Sequence, residues 1–292
     1  MSLKQDRVVL VTGASRGVGK GAALALAAGG ATVYVSGRSR SEGETSALPG
    51  TIDATAEEIS ARGGTGIAVQ CDHTDDAQIK ALVDRVIEEQ GRIDILVNNV
   101  YRVPDDLIEW QPFWKRPLDD HWSAMIDLGL RAHYVACYHA VPHMIDNGGG
   151  MIVNISSPGA RAYLHSVIYG LGKAAKDKMM HDMAKELREH NVAALALWPG
   201  IVKTERLAPA IEADALPADY EPLKPGMESP EFPGRIIDAI ASLDNYMDYS
   251  GQSWWNAELA QQLGVVDIDG AQPMSYAPFM GEPVTPPEAM VK

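Results

Sequence analysis

The chain has 292 residues, 46% of them hydrophobic, with a formal net charge of −14 and two cysteines. That length and apolar share suffice for a full core in one large domain or two small ones, and the negative charge argues against a nucleic-acid or anionic-membrane surface, whose phosphates would be repelled. Cys71 and Cys137 are too few for a disulfide framework and lie in no metal-ligand spacing, so a reduced, cytoplasmic setting is expected.

Met1 to Arg7 is polar and is followed only by a short apolar run, so no signal peptide is expected, and no stretch approaches the ~18 apolar residues of a membrane span. Val8-Val9-Leu10-Val11 reads as a strand buried on both faces, and it runs into Thr12-Gly13-Ala14-Ser15-Arg16-Gly17-Val18-Gly19 and then an alanine-rich helix from Lys20 to Ala28. Strand, glycine turn and helix in succession form a phosphate-binding arrangement, in which glycines admit backbone N–H groups to a pyrophosphate at a positive helix N-terminus. Gly13, Ser15, Arg16, Gly17, Val18 and Gly19 are the candidate residues there.

Ala31 to Ser36 reads as the second strand, followed by Gly37-Arg38-Ser39-Arg40. Many NAD-binding folds carry an acidic residue at that point for the ribose hydroxyls, and none stands here. An arginine suits a ribose 2′-phosphate, so Arg38, helped by Arg16, points to NADP(H) in preference to NAD(H). Residues 41–52, with Gly43, Pro49 and Gly50, form a loop insertion leading to a helix over Ala54 to Arg62. Gly66 to Gln70 is a third strand ending at Cys71-Asp72, His73 to Asp76 cap a helix through Glu89, and Ile93 to Val97 is a fourth strand ending at Asn98-Asn99. Strand and helix in regular alternation call for a parallel α/β sheet covered on both faces, with ligands at the carboxyl ends of the strands. Gly13, Arg38, Asp72 and Asn98 all fall at such ends.

Tyr101 to His121 is a longer connection with Trp110, Phe113 and Trp114, suited to a substrate mouth or to covering the core. Trp122 to Met144 reads as one long helix with Pro142 kinking its last turn. His139 and His143 share a helical spacing, but Pro142 lies between them and no metal site is expected. Met151 to Ile155 is the fifth strand, closed by Ser156-Ser157.

Tyr169-Gly170-Leu171-Gly172-Lys173 opens a helix that runs to His190 and sets a phenol and an ammonium on one helix face. A nearby ammonium favours the phenolate, and such a tyrosine can act as general acid or base. Ala193 to Trp198 is the sixth strand, followed by Pro199-Gly200-Ile201-Val202-Lys203-Thr204. Residues 203–233 are rich in Pro, Ala, Asp and Glu and are expected to form a mobile substrate flap. Pro233 to Leu243 is a helix, Gln252 to Trp255 a final strand, and residues 271–292 an irregular, proline-rich tail after a single domain spanning 1–270.

Thr12 to Gly19, Asn98-Asn99, Ile155 to Ser157, Tyr169 to Lys173 and Pro199-Gly200, in this order and spacing, resemble the short-chain dehydrogenase/reductase family over roughly Asp6 to Gly270. Ile155 to Gly159, Tyr169 to Ala175 and Leu197 to Glu205 look like the dehydrogenase/reductase member 1 type and its bacterial relatives. The resemblance implies a three-layer, Rossmann-type doubly wound sheet and hydride transfer between a nicotinamide and a small carbonyl or secondary alcohol. Tyr169 would move the proton, Lys173 would lower the tyrosine pKa and hold the nicotinamide ribose, and a serine would bond the substrate oxygen. A count of thirteen residues back from the tyrosine gives Ser156, whereas counting along the strand gives Ser157, which Pro158-Gly159 favours. Asp72 would face the adenine, Asn98 the adenosine side, and Ile201 and Thr204 the nicotinamide end.

The family commonly forms homodimers or homotetramers. Two departures stand out. Gly129 lies seven residues after Trp122, where the family often has an asparagine of its proton relay, and Val100-Tyr101 replaces Ala-Gly. They keep open a cofactor-binding scaffold or sensor without turnover, and an epimerase or dehydratase on the same fold. Trp110, Phe113, Trp114, Tyr163 and Met227 are candidates for an apolar substrate pocket or for core packing.

Overall fold

A computed structural model describes Leu3 and residues 6–289; the expectation for Met1 to Arg7 thus falls mostly, and the end of the tail at 290–292 entirely, outside the described residues. Seven strands form one parallel sheet in the order β3-β2-β1-β4-β5-β6-β7: β1 Val8–Thr12, β2 Thr32–Gly37, β3 Thr65–Gln70, β4 Ile95–Asn98, β5 Gly150–Ile155, β6 Val192–Trp198 and β7 Ser253–Trp255. The apolar runs are continuous because both faces are covered. Along β1, Val9 and Val11 pack into the core beneath α1 (Gly17–Ala27), α2 (Ile52–Ala61) and α8 (Phe232–Ala241). Val8 and Leu10 pack into the other, beneath α3 (Asp76–Gln90), α5 (Ala132–Asp146) and α6 (Val167–Leu187). Strand order reverses between β1 and β4, the switch point at which a crevice opens beyond the carboxyl ends. The architecture is thus the Rossmann-like single domain that the motifs imply. Among the described residues, no helix is long and apolar enough to cross a membrane.

Local signals explain the element ends. Asp75 caps α3 by accepting from Ala77 N–H at 2.9 Å, and Gly91 ends that helix at φ 75°. Ser166 caps α6 by accepting from Tyr169 N–H at 3.2 Å, so the helix starts one residue beyond this cap, at Val167, and Tyr169 lies in its first turn.

Three expectations change. The helix foreseen from Trp122 begins earlier, as α4 (Leu118–Trp122), and then runs as a π-helix over Ser123–Arg131 before α5. Side-chain periodicity reports burial rather than the hydrogen-bond spacing that separates α from π. Pro142 stands inside α5, which continues to Asp146. After α7 (Ala208–Glu212), the chain returns through β7 into α9 (Asn256–Leu263), a helix masked in the sequence because it follows β7 with no intervening turn residue. The tail is also less irregular than its prolines suggested. Tyr276 is 4% exposed and packs edge-on to Trp255, ahead of α10 (Ala277–Met280), because the rings of Trp198, Trp255 and Tyr276 together cover the end of β6 and β7.

Candidate active site

The glycine turn between β1 and α1 forms one end of a cavity of about 740 Å³. Gly13 has φ 67°, and a Cβ there would lie 2.7 Å from Val100 Cα, so only glycine brings the two backbones together. Asn99 locks the turn: its side-chain amide donates to Thr12 O and Gly13 O at 3.0 and 2.9 Å. No side chain of Arg16 caps α1 and no acidic residue lies in its first turn, which leaves its N–H groups to an anion. Glu205, from the segment after β6, presents a carboxylate that accepts from Gly17 N–H at 2.8 Å.

Gly13, Ser15, Arg16, Gly17, Val18, Arg38 and Thr204 line this cavity. Ser39, the stretch 45–48, His73, Asn99, Tyr101 and Glu205 line it too, though sequence motifs did not single them out as site residues. Asn99 carried a signal, the second letter of the Asn-Asn pair, while loop 45–48 carried none. Gly19 lies beneath the turn, where a Cβ would meet Gly13 O at 2.3 Å. Asp72 lies beside the rim; burial raises its carboxyl, but hydrogen bonds from Thr74 and the nearby Arg38 outweigh this and hold it low.

Four placements bear on the sequence expectations. Arg16 does not reach out beside Arg38: its guanidinium donates to Pro49 O and Gly50 O at 2.9 and 2.8 Å, because loop carbonyls are nearer than solvent. Asn98 is fully buried, its amide donating to Cys137 Sγ at 3.2 Å, because alternation along β4 turns it toward α5 and away from the cavity. Ile201 packs with Trp198, Trp255 and Tyr276. Of the residues left open between pocket and core, Trp110, Phe113, Trp114 and Tyr163 are exposed and Met227 is buried.

At the carboxyl end of β5, Tyr169 Oη donates to Ser157 Oγ at 2.8 Å. A Cβ on Gly159 would sit 2.4 Å from the Tyr169 ring, so this glycine is what lets the ring approach the strand end. Ser156 faces the other way and donates to Lys173 O at 3.3 Å. Tyr101 and His165 close on the Tyr169 ring edge-on, with centroids at 6.4 and 4.9 Å. Lys173 Nζ lies 5.4 Å from the Tyr169 ring centroid and 5.0 Å from that of Tyr101. Burial pushes the Tyr169 phenol up to about 12, only partly opposed by the Ser157 hydrogen bond. Desolvation therefore sets the direction, opposite to the lowering expected from Lys173, and burial likewise brings Lys173 itself down to about 8 against the pull of Asp177. The pair is a protonated phenol beside an amine that gains and loses its charge near neutral pH.

The fold and this cluster define a class. The sequence profile of short chain dehydrogenases matches residues 7–215, and the chain belongs to that family of oxidoreductases. More particularly, it is similar to dehydrogenase/reductase SDR family member 1 of Mus musculus, 38% identical over 93% of this chain and 86% of that one, and to its Homo sapiens counterpart, 36% identical over 92% and 86%. The 3-oxoacyl-[acyl-carrier-protein] reductase of Synechocystis is 35% identical over 70% of this chain and 78% of its own length. Among solved structures, a 7α-hydroxysteroid dehydrogenase complexed with NADH and 7-oxo glycochenodeoxycholic acid superposes with a TM-score of 0.70 at 26% identity, covering 92% of this chain and 96% of that one.

Proposed function

We propose that this chain transfers hydride between NADP(H) and a small carbonyl or secondary alcohol, with Tyr169 as general acid and base. The observation that carries this reading is the Tyr169 to Ser157 hydrogen bond at the carboxyl end of β5, on the same edge of the parallel sheet as the glycine turn after β1. A bound nicotinamide supplies the hydride. Tyr169 holds the proton that a carbonyl oxygen receives, and its raised pKa keeps it protonated at neutral pH. Ser157 Oγ, already bonded to the phenol, offers its own hydrogen to the same substrate oxygen as negative charge develops. Lys173 places positive charge beside the phenolate that forms and is the residue suited to the nicotinamide ribose.

The residues present fit a dinucleotide: Gly13 leaves no side chain in the turn, and the first N–H groups of α1 are uncapped by any residue of that helix. Gly17, Ser15 and exposed Arg38 line one cavity, where the first two would meet a pyrophosphate and Arg38, at the end of β2, a ribose 2′-phosphate. The preference for NADP(H) rests on Arg38 and on the absence of an acidic residue at that strand end. A cytoplasmic setting is supported by the two free cysteines, and assembly as a homodimer or homotetramer remains the expectation from the family resemblance.

Fluorescence titration with NADPH and NADH tests the cofactor, and a panel of ketones, aldehydes and secondary alcohols followed at the nicotinamide absorbance tests the reaction. NADPH should bind at least tenfold tighter than NADH, with Arg38→Ala removing most of the difference, which is the effect of one charge-assisted phosphate contact of about 1.5–3 kcal/mol. Equal affinities in the unaltered protein would sink the NADP(H) reading, and cofactor binding with no turnover across the panel would favour a sensor.

A further inference from the structure

Behind Lys173 the same helix carries a second buried amine. Lys176 is 1% exposed, and its Nζ donates to Ile155 O at 3.4 Å. Residues three apart lie on one helix face, and here both ammonium-bearing atoms stand at the Tyr101 ring, Lys173 at 5.0 Å and Lys176 at 6.0 Å from its centroid. Gly129 approaches that ring from the π-helix, where a Cβ would lie 3.9 Å from Tyr101 Cδ2, and brings no side chain of its own.

His133 and Tyr101 face this pair, and β4 and β5 each add a buried asparagine. Asn98 and Asn154 are register partners on β4 and β5. Asn98 Oδ1, both amide atoms of Asn154, His133 Nδ1 and Tyr101 Oη are buried with no hydrogen-bond partner. His133 Nε2 lies 2.9 Å from Val100 O, which can only accept, so Nε2 carries the proton and Nδ1 of the neutral ring offers a lone pair. Native interiors seldom leave so many polar atoms unpaired, and ordered water is what usually bridges such groups.

We propose that Lys176 is a second working lysine, a relay and positioning residue that passes protons to Lys173 through this polar layer. The inference rests on the general acid and base reading of Tyr169. When Tyr169 gives its proton to a carbonyl oxygen, the phenolate recovers one from Lys173; the Lys173 amine then takes a proton by way of Lys176, and one solvent proton enters the layer per turnover. Burial and the charge of Lys173 push Lys176 well below the ordinary lysine value, opposed by Asp177. The groups facing it are Lys173 and Asp177 on its own helix, His133 from α5 and Tyr101 from the connection after β4.

Lysine labelled with 13C at Cε makes the pairing measurable without turnover, the Lys176 signal being assigned by its loss in Lys176→Met. Lys173→Met should raise the Lys176 titration midpoint by about one pH unit or more, through loss of a like charge. An ordinary lysine midpoint, or one unmoved by Lys173→Met, overturns the proposal. In turnover, Lys176→Met should keep the wild-type melting temperature and NADPH affinity, lower kcat about tenfold at unchanged KM, and enlarge the solvent deuterium isotope effect. Wild-type kcat and isotope effect in that variant overturn the relay. A wild-type protein that reduces nothing in the panel counts against the Tyr169 reading alone, and the lysine titration still decides whether the two amines are paired.

Discussion

Ser156 and Ser157 are adjacent in sequence but chemically far apart. Extended backbone sends their side chains to opposite sides, so Ser157 meets the Tyr169 phenol at 2.8 Å while Ser156 is spent on the Lys173 carbonyl. Tyr169→Phe is expected to lower kcat about 1,000-fold, within the ~10²–10⁴ range of general acid and base catalysis, with NADPH affinity within about twofold. Equal losses of binding and turnover would make Tyr169 structural. Ser157→Ala should cost about 100-fold, as for loss of an oxyanion donor, and Ser156→Ala far less; the reverse order would reassign the serine. The titrations set a pH profile. Tyr169 stays protonated through neutral pH because burial raises it to about 12, while Lys173, depressed to about 8, loses its charge as pH rises through that value. Carbonyl reduction should therefore be level up to about pH 8 and decline above it, and a rate flat to pH 10 would remove Lys173 from the chemistry. The tyrosine, the lysine and the serine pair were legible as residue types at fixed spacings, but the burial that reverses the expected direction of the tyrosine pKa was not.

At the level of elements, the glycine turn and the segment after β6 meet through Glu205, whose carboxylate holds the Gly17 N–H at 2.8 Å. A helix N-terminus is a site for anions, and on the proposed reading a pyrophosphate would compete with this carboxylate for the same donor. Glu205→Ala should tighten NADPH binding by about three- to tenfold, the equivalent of roughly 0.6–1.4 kcal/mol for one released hydrogen bond. Weaker binding measured by titration would instead show that Glu205 builds the site. The turn itself was readable because strand, glycines and helix are contiguous. The pairing of Gly17 with a residue 188 positions later was not, because proximity across the sheet leaves no local pattern.

Across the whole molecule, the C-terminal third fastens the rim of the site to the sheet. Glu228 is buried, accepting from Gly200 N–H and from the Asn256 amide, both at 2.8 Å, and Tyr276 donates to Leu223 O at 2.7 Å. Burial raises the Glu228 carboxyl to about 8, with Asp267 adding to the shift and the two hydrogen bonds opposing it. A raised acid binds its proton more strongly when folded, so its contribution is fully present below the unfolded value of 4.5 and lost as pH rises through about 8. Glu228→Gln, with its amide oxygen toward Gly200, should therefore gain stability on wild type between pH 5 and 9, on the order of 2 kcal/mol. Melting curves at the two pH values check this, and a gap that does not grow with pH would refute it.

What the sequence determined alone was whatever is written in contiguous stretches: apolar runs buried on both faces, a glycine turn between strand and helix, a tyrosine and lysine one helical turn apart. These depend on spacings of a few residues, where backbone geometry dictates which side chains share a face. Only the tertiary structure decided which serine meets the phenol, that Arg16 is tied to loop carbonyls, that Asn98 faces away from the cavity, and that the tail packs against Trp255. Each depends on how strand ends and loops distant in sequence are brought together, and on the loss of solvent there, which neither residue type nor periodicity records.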